Sequence, residues 1–158
     1  MSTSLLSALS GVANASQPLP HLVTGGQPMA AHLSALKQAG AEVVLDIRDP
    51  MEPRPLDEPA IVRGLGLAYE QVTVRQGALD DQVMDTVLDV LRRHEGKPTL
   101  LHCASGNRVG GPLIAYLVLD KGMSEDEAIE TAMRAGLRGA DVLEWGVDYA
   151  RRKAGDAK

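Results

Sequence analysis

Two short stretches, EVVLDI at residues 42–47 and PTLLH at 98–102, are almost continuously apolar, and each runs straight into a loop. Runs of that length without polar alternation mark strands covered on both faces, which is the condition of a parallel sheet between helices. The rest of the chain is consistent with that constraint. HLVTGGQP reads as a strand ending at Gly25–Gly26. Pro28 then suits the first turn of a helix, with Met29, Leu33 and Leu36 at helical spacing and Gly40 as a C-cap. RDPMEPRPLDEP (48–59) carries four prolines in twelve residues and is a loop, its end leading into a short helix before Gly64. YEQVTV (69–74) alternates as a strand should. Leu79, Val83, Val87, Leu88 and Leu91 line one face of a helix over 81–95 that Gly96 ends. Residues 109–121 form a further helix with Pro112 in its first turn, and the pairs Ser124–Glu127 and Asp141–Glu144 are capping-box signals for two more. Strands alternate with helices, which predicts an α/β fold of three layers with a mainly parallel central sheet of about four strands. Residues 1–18 read as a helical or irregular lead-in, and 19–153 as one domain.

Composition narrows the partners. With 158 residues the chain can bury a core without staples, and since it has no Phe that core must be built from Leu, Val, Ile, Ala and Met. The net charge of −5 and scattered basic residues argue against nucleic acid. No run of eighteen apolar residues suggests a membrane span, and the amino terminus lacks the positive start of an export signal, so a cytoplasmic location is expected. The single Cys103 excludes an internal disulfide. With no CxxC or HxxxH spacing, neither zinc nor any other metal or cofactor is called for.

Chemistry concentrates in TLLHCASGNRVGG (99–111). In a parallel sheet, ligands bind where strands end and loops turn into helices, and Cys103 falls on that edge. The unpaired amides and dipole of the following helix favour an anion, either a bound oxyanion or the thiolate itself. Gly106 lets amides turn inward, and Arg108 offers a planar fork for two oxygens of a tetrahedral anion. The expected site is therefore an anion cradle, formed by Ala104, Ser105, Gly106, Asn107 and Arg108 around a nucleophilic sulfur, with His102 orienting the loop. Asp46 and Arg48 flank the end of strand 42–47 on the same edge, able to meet substrate or to fix the proline-rich loop by an ion pair. His21, His32 and His94 read as surface or capping residues, and Trp145 with Tyr149 as packing.

His102-Cys103, Gly106, Arg108 and Gly110 resemble the His-Cys-x5-Arg signature of the cysteine-dependent tyrosine and dual-specificity phosphatases. GPLIAYLVLDKGMSEDEAI (111–129) is similar to the helix after that signature and the start of the next. TGGQP and VVLDIR resemble the opening of a bacterial phosphatase-like subgroup, also found fused to hydrolase or NAD kinase domains. The resemblance implies a dual-specificity-phosphatase-like fold and a phosphocysteine on Cys103. It implies phosphoryl oxygens held by Arg108 and the loop amides, and an acid, Asp80 or Asp81, for the leaving oxygen. Asp80 also suits the N-cap of helix 81–95.

Two positions depart from the pattern. Four residues separate Cys103 from Arg108 where these phosphatases have five, and Val109 stands where a hydroxyl residue is usual. Loops of the shorter length, often C-R-S-G-N-R, are found in rhodanese sulfurtransferases, whose cysteine carries a persulfide. Three readings follow: a phosphatase, a sulfurtransferase, and a non-catalytic anion-binding module. Each would take a small phosphorylated or sulfur-donor ligand more readily than a protein, and none specifies an oligomeric state.

Overall fold

The structure, a computed structural model, describes residues 4–156; residues 1–3 of the expected lead-in lie outside them. In chain order the elements are α1 (Leu5–Ala8), β1 (Ser16–Leu19), β2 (Leu22–Gly25), α2 (Ala30–Gln38), β3 (Val43–Asp46), α3 (Glu58–Gly64), β4 (Ala68–Gln71), α4 (Asp81–Arg93), β5 (Thr99–His102), α5 (Gly110–Leu119), α6 (Glu125–Arg134) and α7 (Ala140–Asp156). The apolar runs form the centre of one sheet ordered β1-β2-β5-β3-β4, in which β2, β5, β3 and β4 are parallel. The expected count of about four becomes five because Ser16–Leu19 adds an antiparallel edge strand to β2. Its sequence, SQPL, has no apolar alternation, and its proline is tolerated only because an edge strand need not donate on both sides.

Successive residues of the central strands face opposite layers. Leu22, Leu45 and Leu101 join the core under α4, α5, α6 and α7, whereas Val23, Val44 and Leu100 join the core under α1, α2 and α3. Full burial of each such side chain contributes about 1.5–3 kcal/mol, so near-continuous apolarity is what a sheet covered on both faces requires.

Several boundaries follow local chemistry. Asp80 and Ser124 cap α4 and α6, accepting the amides of Val83 at 2.9 Å and Glu127 at 3.2 Å. Strand β4 ends at Gln71, short of the expected 74, yet Val72 N and Val74 N still donate to the carbonyls of Asp46 and Ile47 at 3.0 and 3.1 Å. Met29 is the N-cap of α2 and not its first core residue, with the imidazole of His32 accepting its amide at 2.9 Å. Asp141 lies inside the first turn of α7, where its Oδ1 accepts the amide of Val142 at 2.9 Å. The amides before that helix, Arg138 N and Gly139 N, are taken at 2.8 Å each by Asn107 Oδ1, from the loop after β5.

Candidate active site

Parallel register brings three strand ends side by side: Gly25 of β2, His102 of β5 and Asp46 of β3 are direct neighbours. The tie continues one step further, as Cys103 N donates to Gly25 O at 3.2 Å and Ile47 N to His102 O at 3.0 Å. Cys103 is thereby fixed at the carboxyl edge of the sheet, where the loop to α5 begins. Gly26 sits so close to this loop that a Cβ there would lie 2.6 Å from Ala104 O, and Gln27 N donates to the same carbonyl at 3.0 Å. From the other side Asn14 Nδ2 donates to Ser105 O at 2.7 Å, so the segment ahead of β1 braces the loop as well.

Within the loop, Gly106 has φ +103°, a left-handed conformation that L side chains rarely adopt. That turn aims its amide back at Cys103, whose Sγ accepts it at 3.1 Å. The amides of Ala104, Ser105, Asn107 and Arg108 meet no acceptor among the described residues. Four unclaimed donors ahead of the N-terminus of α5 form a set of amides that could meet an anion. The Asn107 side chain takes no part in it, being committed to α7.

Arg108 links sulfur and solvent. Its guanidinium pKa is raised above the ordinary arginine value, first by hydrogen bonds to Glu52 and, against the opposing effect of burial, by the nearby Cys103. The fork is bidentate on Glu52, with Nη1 to Oε2 at 2.6 Å and Nη2 to Oε1 at 2.9 Å, and Nη1 also reaches Val74 O at 2.9 Å. Arg108 lines a cleft of about 500 Å³ together with Asp49, Glu52, Arg75, Gln76, Ser105 and Asn107. Cys103, 1% exposed, is not among the residues that line it and belongs to the core cluster under α4–α7. The same pairing with Arg108 holds the Glu52 carboxyl at about 2, far below its ordinary value.

Behind the loop lies a buried polar cluster. His102 is fully buried; its Nδ1 donates to Cys103 O at 3.1 Å and its Nε2 meets Glu58 Oε2 at 2.5 Å. Glu58, also fully buried, accepts from Gln27 Nε2 at 2.6 Å and lies 3.6 Å from Arg54. Asp46 accepts from Tyr69 Oη at 2.7 Å, from Arg48 N at 2.9 Å and from the Arg54 guanidinium. Burial pushes the Asp46 carboxyl up, but the charge of His102 and these hydrogen bonds carry it below its ordinary value. Ligand atoms of Asp46, Glu58 and His102 come within 4.8 Å of one another, but the cation that answers the two carboxylates is Arg54.

The expected residues thus separate into groups. Cys103, Arg108 and the loop Ala104–Asn107 converge, with His102 directly beneath. Asp46 and Arg48 stand on the same edge but take different partners. Asp46 binds Arg54, while the Arg48 side chain binds Glu52 at 3.1 Å, Gln27 at 2.7 Å and Pro53 O at 2.9 Å, and so secures the proline-rich loop. The structure does not bring Asp80 or Asp81 to the cleft. Asp80 is held as the cap of α4, and Asp81 is bidentate with Arg152 at 2.6 and 2.7 Å beside Trp145 in a separate hollow. Trp145 and Tyr149 are buried packing residues, their polar ends bonded to Asp80 O and Asp85. Glu52 and Glu58 escaped the sequence reading: both lie in the proline-rich stretch, and no spacing there indicates that one reaches Arg108 and the other His102.

No protein-family model and no curated protein matches the chain. Solved structures do match its fold. A DUF442 protein of Shewanella putrefaciens CN-32, described as a candidate phosphatase, superposes with a TM-score of 0.80 at 20% identity, covering 93% of this chain and 97% of its own. The core catalytic domain of the PP-IP phosphatase SIW14 from S. cerevisiae, in complex with citrate, gives 0.74 at 17% identity over 92% and 93%. TpbA of P. aeruginosa in complex with phosphotyrosine gives 0.66 at 20% identity over 87% and 90%. The chain therefore shares the fold of these phosphatase structures.

Proposed function

We propose that this chain is a cysteine-dependent phosphatase that hydrolyses a small phosphomonoester through a phosphocysteine on Cys103. The observation that carries this reading is the loop itself: a sulfur accepting the Gly106 amide at 3.1 Å, an arginine whose charge is felt by that sulfur, and four further amides that meet no acceptor among the described residues. The Cys103 thiolate would attack phosphorus, forming the S–P bond as the bond to the leaving oxygen breaks with its electron pair. Arg108 and the amides would hold the three outer oxygens as charge redistributes. Water would then attack phosphorus, the S–P bond would break, the thiolate would return and inorganic phosphate would leave. A cleft of about 500 Å³ suits a small substrate. That neighbours of the same fold are complexed with phosphotyrosine and citrate supports an anionic one.

Asp80 and Asp81 are engaged elsewhere, so in this reading solvent supplies the proton to the leaving oxygen, and aryl phosphates, whose leaving group departs readily as an anion, turn over fastest. Asp80→Asn and Asp81→Asn should then slow hydrolysis of p-nitrophenyl phosphate by far less than the ~10²–10⁴-fold attributed to a general acid. A drop of that size in either variant would return the acid role to that residue.

One observation favours a second reading. Arg108 is already satisfied by Glu52 and Val74 O, and a persulfide on Cys103 needs only the loop amides. A sulfurtransferase would let the thiolate attack the outer sulfur of thiosulfate, forming an S–S bond and expelling sulfite. Intact-mass analysis after brief incubation with an aryl phosphate, and separately with thiosulfate, distinguishes the two. The expected result is a phosphoryl adduct on Cys103 from the first and none from the second. A sulfur adduct alone establishes the second reading, and no adduct from either, with phosphate still bound, leaves a non-catalytic anion module.

A further inference from the structure

We propose that Glu52 is a built-in competitor for the anion site, which makes the site selective for dianionic phosphomonoesters. The inference rests on the anion-site reading above and deepens it. Glu52 presents its two oxygens to the two Nη atoms of Arg108 at 2.6 and 2.9 Å, the bidentate fit a phosphoryl group would make. The same carboxylate holds Arg48 Nε at 3.1 Å and Asp49 N at 2.8 Å, so it is anchored from its own loop. On that loop Asp49 pairs with Arg75, the other arginine of the cleft. Every cation at the mouth is therefore matched to a carboxylate of one short segment.

An entering anion cannot use the Arg108 fork until Glu52 gives it up. A carboxylate or a phosphodiester brings one negative charge and merely replaces one monoanion by another. A phosphomonoester dianion brings two charges and a third outer oxygen for the unclaimed loop amides, so it alone gains from the exchange. In this state Arg108 is held by Glu52 and Cys103 is 1% exposed. Glu52 thereby sets which anions reach the sulfur, without itself touching the reacting atoms.

The test follows alkylation of Cys103 by iodoacetamide, a neutral probe, against rising inorganic phosphate in the wild type, Glu52→Gln, Glu52→Ala and Arg108→Ala. Far-UV circular dichroism checks that each variant is folded. Both Glu52 variants should alkylate faster without phosphate, and phosphate should protect them at about tenfold lower concentration than the wild type, the size of effect one partly buried ion pair can exert on a competing ligand. Arg108→Ala should lose protection. Equal or weaker protection in both Glu52 variants would make Glu52 a brace for Arg108 and overturn the inference while the anion site stands. If phosphate protects no protein at any concentration, the anion-site reading falls, and this inference with it.

Discussion

Cys103→Ser is expected to reduce aryl phosphate turnover by about 10⁴-fold or more while leaving phosphate binding in place. Serine keeps the position at the end of β5 and can still accept the Gly106 amide that now lies 3.1 Å from sulfur. It cannot supply a thiolate: a hydroxyl loses its proton far less readily, and the fully buried His102 directs its nitrogens to Cys103 O and Glu58, away from any nucleophile. Arg108→Lys gives the complementary result. The ammonium is a point charge where a fork is needed, so turnover should fall by about 10²–10³-fold with weakened phosphate binding. Because Cys103 is 1% exposed, a polar replacement also costs about 1–3 kcal/mol of stability, and near-UV circular dichroism must accompany the kinetics. Turnover surviving in folded Cys103→Ser would end the covalent mechanism.

How much of this was legible beforehand depended on whether the signal was local. EVVLDI and PTLLH lie under the strands β3 and β5 because burial on both faces leaves a continuous apolar trace. Asp80 and Ser124 act at their own helix ends, and a cap is written within four residues. Cys103, Gly106 and Arg108 are legible together because one short loop carries them all. The missing parts come from contacts far apart in sequence. Glu52 reaches Arg108 across 56 positions, Glu58 reaches His102 across 44, and Asn14 reaches Ser105 across 91. Prolines mark their loop as irregular but say nothing of what its acids touch. The Asn107 side chain is a further long-range contact: it sits in the loop, yet it serves the start of α7. The edge strand β1 was hidden because its burial pattern is partial, with none of its four residues fully buried.

Glu58→Ala is expected to destabilise the protein by about 3–5 kcal/mol, the largest effect of any single change in the polar cluster, since removing one partner strands the others in the interior. The carboxylate is fully buried and answers three groups at once: His102 Nε2 at 2.5 Å, Gln27 Nε2 at 2.6 Å and Arg54 at 3.6 Å. With alanine there, His102 Nε2 loses its acceptor and Gln27 Nε2 keeps only Pro28 O, at 2.8 Å, in a space that a methyl group does not fill. Asp46 is left to balance Arg54 alone. Against a total stability of about 5–15 kcal/mol this is a third or more, and urea unfolding should show it as a lowered midpoint at unchanged slope. Glu58→Gln keeps shape and an acceptor and should lose less. The cluster also makes the fold sensitive to acid. The Asp46 carboxyl is depressed below its ordinary value by His102, Arg54 and Tyr69 against the cost of burial, so its contribution is present above the ordinary carboxylate range. It is lost as pH falls through the depressed value, where protonation breaks the pairing with Arg54. The site sits directly on this cluster: His102 Nδ1 holds the Cys103 carbonyl at 3.1 Å and Gln27 N holds that of Ala104 at 3.0 Å, so loosening Glu58 loosens both ends of the turn that presents the sulfur. Glu58→Ala should therefore lower turnover even at temperatures where it remains folded. A variant unfolding within about 1 kcal/mol of the wild type would mean that Arg54 and Asp46 compensate between themselves, and that Glu58 is not what fixes His102.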